Sequence, residues 1–207
     1  MAVMLSAAAS LSWIASVFGR EHEVGALVAA AQAFAGSKDA VASAPVFLPY
    51  LSGERTPHND AGATGMFADL RASHGADALV FAVMEGVAFS FADAVDVLDS
   101  AGARPARPLL VGGGARSDFW GQMIADVTGL EIDVAQGAEA GAALGAARLG
   151  MLAAGAGTVE TVCARPPVQK TFAPDSGEAA LYAPRLRRYR ALYAAEKAAR
   201  EQPAGAA

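Results

Sequence analysis

At 207 residues the chain is long enough to close one sizeable core. A hydrophobic share of 54% could suggest a membrane protein, but alanine supplies about a quarter of the residues and mean hydropathy is only +0.30, which favours helix and close approach instead. A net charge of −5 argues against the basic face of a nucleic-acid binder, and the lone Cys163 excludes a disulfide framework or cysteine metal site and fits a reducing, cytoplasmic setting.

Met1–Gly19 is uncharged, yet it lacks the basic start of a signal peptide and is broken by Ser6, Ser10, Ser12 and Ser16, so the pattern predicts a buried helix over Met4–Val17. Its alanines, Ala7, Ala8, Ala9 and Ala15, make it slim enough for a backbone or flat ligand to come close. A charged turn after Gly19 precedes a second helix over Val24–Phe34. Val46–Leu51 reads as a short strand. Ser52–Gly65 is dense in turn residues and is expected to present Glu54, Arg55 and His58 beside a cleft. His58 has no His or Cys near it at ligand spacing and reads as a loop histidine.

Asp77–Leu98 carries the longest apolar stripe, Val80, Val83, Val87, Phe91, Ala94 and Leu98, and is expected to be the longest helix. Gly86 inside it costs helix stability, which points to a close contact. Asp93, Asp96 and Asp99 are read as a solvated edge. Pro108–Trp120, PLLVGGGARSDFW, is the most informative stretch: a strand to Val111, a turn of three glycines, and a helix opening at Ser117. Ser117 suits the N-cap, Asp118 complements the helix dipole, Phe119, Trp120, Met123, Ile124 and Val127 recur at helical spacing, and Gly129 is placed to end the helix. Such a turn lets a ligand reach backbone with no Cβ in the way, which suits a nucleotide.

A strand over Leu130–Val134 and a small-residue helix over Ala140–Met151 follow, with Gly141 and Gly145 expected at a close helix contact. After Pro166-Pro167 the chain reads as irregular until a helix from about Leu186 to Glu201, whose arginines, Arg185, Arg187, Arg188 and Arg190, read as a solvated face. Residues 1–200 are expected to form one domain and 201–207 a disordered tail.

FLPYLSGERTPH (Phe47–His58), VMEGVAFSFADAVDVL (Val83–Leu98), VGGGARSDFWGQMIADVTG (Val111–Gly129) and GAALGAARLG (Gly141–Gly150) together resemble the C-terminal half of the FGGY carbohydrate kinases, from Met1 to about Tyr193. The GER-T-P loop leans toward the pentulose kinases. The resemblance implies an α/β, actin-like, ribonuclease-H-like ATPase domain, the C-terminal domain of a two-domain sugar kinase, without the first strands of its sheet. It implies ATP-dependent phosphorylation of a pentulose, D-xylulose first, with Mg2+ carried mostly by ATP and the sugar held by an N-terminal domain.

Carried over by position, Gly113, Gly114 and Ala115 form the turn under the adenosine, Ser117 and Asp118 offer polar contacts, and Ala8 and Ser12 flank the nucleotide from the first helix. No catalytic or metal-binding residue is assigned in this chain, because the family's catalytic aspartate and its phosphate-holding Gly-Thr-Ser loop lie ahead of the matched region. No nucleic acid or membrane partner is expected, and a homodimer is, because Leu5, Trp13, Val46 and Leu48 would lack covers beside an unpaired sheet edge. Two other readings stand beside the kinase. One is a non-catalytic nucleotide-binding or interaction module. The other is a dinucleotide-binding oxidoreductase domain, with Gly112-Gly113-Gly114-Ala115-Arg116-Ser117 as an incomplete fingerprint and Asp133 as the ribose-binding acid.

Overall fold

The computed structural model describes residues 1–202, so most of the expected tail, 203–207, lies outside the described residues. Eight helices and five strands are present among them: α1 (Ala9–Val17), α2 (Val24–Ala35), α3 (Lys38–Ser43), β1 (Val46–Leu48), β2 (Met66–Ala68), α4 (Ala76–Ser100), β3 (Leu109–Leu110), α5 (Asp118–Thr128), β4 (Ile132–Ala135), α6 (Gly141–Ala153), α7 (Val159–Val162), β5 (Val168–Phe172) and α8 (Ser176–Glu201). Glu201 therefore ends a helix. The sequence pattern showed neither α3, β2 nor α7.

Every residue of α4 from Val80 to Ala94 except the half-buried Phe91 is buried, and the fold is built around it: α1, α2, α5, α8 and β1 all pack on it. It is also the one helix among the described residues long and apolar enough to cross a bilayer, and 89% of that window is buried inside the protein. Gly86 is the contact point with β1, since a Cβ there would run into the Phe47 carbonyl. β1 pairs antiparallel with β2, Phe47 opposite Phe67, and Trp13 of α1 stacks on both rings. Val46, Leu48 and Trp13 are thus covered from within the chain, contrary to the expected lack of covers, while Leu5 is exposed.

The second sheet has the order β3-β4-β5, with β3 parallel and β5 antiparallel to β4. The β5 segment was expected to be irregular. Only Phe172 of its five residues is buried, so it carries no inward alternation that a sequence pattern could show. Helix α1 begins at Ala9 rather than Met4, because the residues before it are drawn into pairing with a distant loop: the Val3 amide donates to the Thr56 hydroxyl and the Leu5 amide to the Glu54 carboxylate.

Helix α8 starts ten residues earlier than expected and, at 26 residues, is one longer than α4. Pro184 lies inside it and hid its first turns; Asp175 caps it by accepting from the Gly177 and Glu178 amides. Arg187, Arg188 and Arg190 of this helix are exposed as expected, but Arg185 is not. Arg185 is buried and grips the fully buried Glu85 of α4 through two hydrogen bonds of 2.5 and 2.7 Å, and its remaining donors reach the carbonyls of Ala44 and Pro45. Burial pushes the Glu85 carboxyl up and the Arg185 guanidinium opposes it. Arg190 holds both Asp93, which is buried, and Asp96, so the expected acidic edge is in part an interior ion pair. These contacts clamp α8 to α4.

Candidate functional site

β3 ends at Leu110, and the chain reverses at Gly112, whose φ of 87° only glycine adopts without strain. Gly113–Arg116 form a single 3-10 turn, and Ser117 then caps α5, its Oγ accepting from the Trp120 amide at 3.1 Å. Gly129, left-handed, ends that helix as its position suggested. The Trp120 indole donates to the Met84 carbonyl at 2.9 Å, which ties the base of the turn to α4 and lays the ring under Gly114. The glycine turn is therefore held from below and open above.

An open cavity of about 680 Å3 lies over this turn, between it, α1 and α2. That is a usual size for a small-molecule site. Of the expected residues, Ala8, Ser12, Gly113, Gly114, Ser117 and Asp118 all line it, although more than a hundred residues separate the two groups in sequence. Ala115 does not. It lines an adjoining cavity of about 460 Å3 with Glu139, Gln169 and Lys170, and Arg116 and Asp118 line both.

The wall formed by α2 was not anticipated. Val24, Val28 and Gln32 lie four apart on one helix face, beside Gly25 and Ala29, and nothing in their identity separates a cavity face from a core face. Arg116, Phe119 and Trp120 also line the cavity and were not singled out as ligand contacts. The positive end of α5 faces this space, and Arg116, exposed, has no acidic partner among the described residues. Asp118 is engaged by Lys170 of β5 at 2.5 Å, so a ligand contact by this carboxylate competes with an ion pair.

Two other polar groups are placed away from the cavity. Glu54 is buried, accepting from the Leu5 and Arg55 amides, and His58 stacks on Tyr193 of α8 and pairs with the Tyr50 hydroxyl at 3.0 Å. Their loop is folded against α8 and turns these two inward, contrary to expectation, while Arg55 between them is exposed. Burial holds the His58 imidazole below its ordinary value. Asp133, the acid needed by a dinucleotide site, is held by the Thr171 hydroxyl at 2.7 Å and by Arg107 and Arg165, which keep its carboxyl below the usual range. It is buried among these partners instead of open to a ribose, and β5 runs antiparallel where a dinucleotide fold would continue in parallel.

Residues 3–154 match the C-terminal domain of the FGGY family of carbohydrate kinases. The chain belongs to that family. Over 194 residues it is 44% identical to the xylulose kinase of Escherichia coli, an alignment that takes in 93% of this chain and 39% of that one. Among solved structures it resembles a xyloylose kinase from Brucella ovis, with a TM-score of 0.80 and 38% identity over 96% of this chain and 40% of that one. The xylulose kinase from Rhodospirillum rubrum is similar, with a TM-score of 0.73 and 32% identity over 94% of this chain and 39% of that one. The fold is thus the actin-like ATPase fold of FGGY kinases, and the chain spans about two-fifths of the length of the relatives it matches.

Proposed function

We propose that residues 1–200 form the nucleoside-holding unit of an ATP-dependent pentulose kinase of the cytoplasm, with D-xylulose as the sugar and D-xylulose 5-phosphate as the product. The observation that carries the reading is the convergence of Ala8 and Ser12 with Gly113, Gly114, Ser117 and Asp118 on one open cavity. Phosphoryl transfer asks a protein chiefly for positioning and charge stabilisation. In this chain the glycine turn admits the nucleoside to bare backbone, the apolar floor of Leu11, Phe119 and Trp120 excludes water from one of its faces, and Arg116 with the α5 N-terminus offers positive potential to phosphate.

The general base belongs, on this reading, to the part of the enzyme that holds the sugar. Of the carboxylates beside the turn, Asp118 is engaged by Lys170, while Glu139 stands in the adjoining cavity with Ala115 and not over the glycines. No group of three or more His, Cys, Asp or Glu side chains that could hold a metal ion by themselves occurs among the described residues, and Mg2+ commonly takes most of its oxygens from water and substrate phosphates. Mg2+ would therefore arrive bound to the ATP phosphates.

The test is hydrogen exchange of the chain with and without MgATP, together with an assay for D-xylulose phosphorylation. Protection confined to the glycine turn, the start of α5 and the facing sides of α1 and α2, with no turnover by the chain alone, is the expected result. Steady phosphorylation by a preparation free of other kinases would overturn the assignment of the base, and protection elsewhere would overturn the cavity.

A further inference from the structure

Resting on the nucleoside reading of the cavity, we propose that Gln32 reads the base and gives the site its preference for adenine over guanine. Six lining residues carry a polar side-chain group, and three of them are already committed: Ser117 caps α5, the Trp120 indole donates to Met84, and Asp118 pairs with Lys170. Ser12, Gln32 and Arg116 are left, with no side-chain hydrogen bond or ion pair among the described residues. Arg116 is a cation on the glycine-turn side and suits phosphate, for which a neutral carboxamide is a poor partner. A serine hydroxyl is a single rotating group that accepts and donates alike, so it does not distinguish one purine edge from another.

Gln32 differs from both. It stands on the α2 wall, two turns and about 12 Å along from Val24, and the residues beside it on that face, Val28 and Ala29, are apolar. A flat ring lodged between this wall and the Phe119 and Trp120 side of the cavity presents its polar edge with one amide to meet it. A carboxamide holds one donor and one acceptor side by side, which matches the N6 amino group and N7 of adenine. Guanine offers two acceptors, O6 and N7, on the same edge, and these match the paired donors of an arginine instead.

The test titrates ATP and GTP separately into the wild-type chain, Gln32→Leu and Gln32→Arg. Gln32 is exposed on α2, and leucine and arginine are both good helix formers, so neither change disturbs the fold. The wild type is expected to prefer ATP by roughly 5- to 150-fold, the discrimination worth of one bidentate pair. Gln32→Leu should bring the ratio close to one, mainly by weakening ATP, and Gln32→Arg should turn it toward GTP. An ATP-to-GTP ratio that is the same in all three proteins, or no preference in the wild type, overturns the role of Gln32 while leaving the nucleoside site standing. Absence of saturable binding of either nucleotide by the wild type overturns both.

Discussion

Gly86 and Gly145 are both glycines inside helices rich in alanine, and they mark the two kinds of region this chain contains. At Gly86, in α4, a single methyl group would collide with the Phe47 carbonyl, and the side chains on either side are wholly enclosed. At Gly145, in α6, nothing lies within 4 Å of where a Cβ would stand, and none of the thirteen residues of that helix is buried. Leu149 and Met151 are 67% and 46% exposed, and Val159 of α7 and Val168 of β5 are also uncovered. The α4 region is closed by contacts supplied within the chain. The α6 region shows Leu149 and Met151 with little cover among the described residues, so the same sequence features contribute far less packing there.

The largest effect should come from opening the buried clamp of the first region. Arg185→Leu leaves the fully buried Glu85 carboxylate unpaired and should cost about 3–5 kcal/mol in urea unfolding, while Glu85→Leu combined with Arg185→Leu should recover part of that loss. Recovery would fail to appear if the pair served mainly to hold the Ala44 and Pro45 carbonyls. Next, Gly86→Ala should destabilise by about 1–3 kcal/mol through overpacking against β1. Gly145→Ala should do the opposite, adding about 0.5–1 kcal/mol through helix propensity alone, and a loss of stability there would show that α6 has a contact partner after all.

The smallest effect is a slope with pH. Burial first, and Lys197 after it, lower the folded pKa of His58, against the opposing charge of Asp60. The unfolded chain therefore takes up a proton at about pH 6.5 while the native imidazole stays neutral, so stability falls as pH drops from that value toward the folded pKa. Comparing unfolding of the wild type and His58→Gln between pH 7.5 and 5 isolates this from the titration of the carboxylates. The wild type should lose more stability than the variant, and parallel curves would contradict the assignment.

Local chemistry was legible in the sequence, and chemistry across distance was not. Ser117 as cap, Gly129 as terminator and Gly86 as contact glycine follow from residue type and position, and each is found in place. That Ala8 and Ser12 would face the glycine turn was legible only through resemblance, and they line one cavity with it. The α2 wall escaped because a face that lines a cavity has the same spacing as one that lines a core. Arg185 reads as one of several surface arginines, since its partner Glu85 lies a hundred residues away and neither letter announces burial. The first turns of α8 were hidden by Pro184, a residue that usually marks a helix end but sits inside this one.

The central claim is that the cavity over the glycine turn holds the nucleoside, and Gly114 offers the most direct probe of it. A Cβ built there meets only the Trp120 ring, at the ordinary contact distances of 3.5 and 3.6 Å, and that ring itself lines the cavity, so a larger side chain at this position narrows the cavity where the ring borders it. Calorimetric titration of MgATP into the wild-type chain and into Gly114→Val, with unfolding midpoints checked to be equal, separates loss of the site from loss of structure. Saturable binding by the wild type is expected, with binding weakened at least about tenfold in the variant, a difference of about 1.4 kcal/mol. Wild-type affinity in a folded Gly114→Val would contradict it.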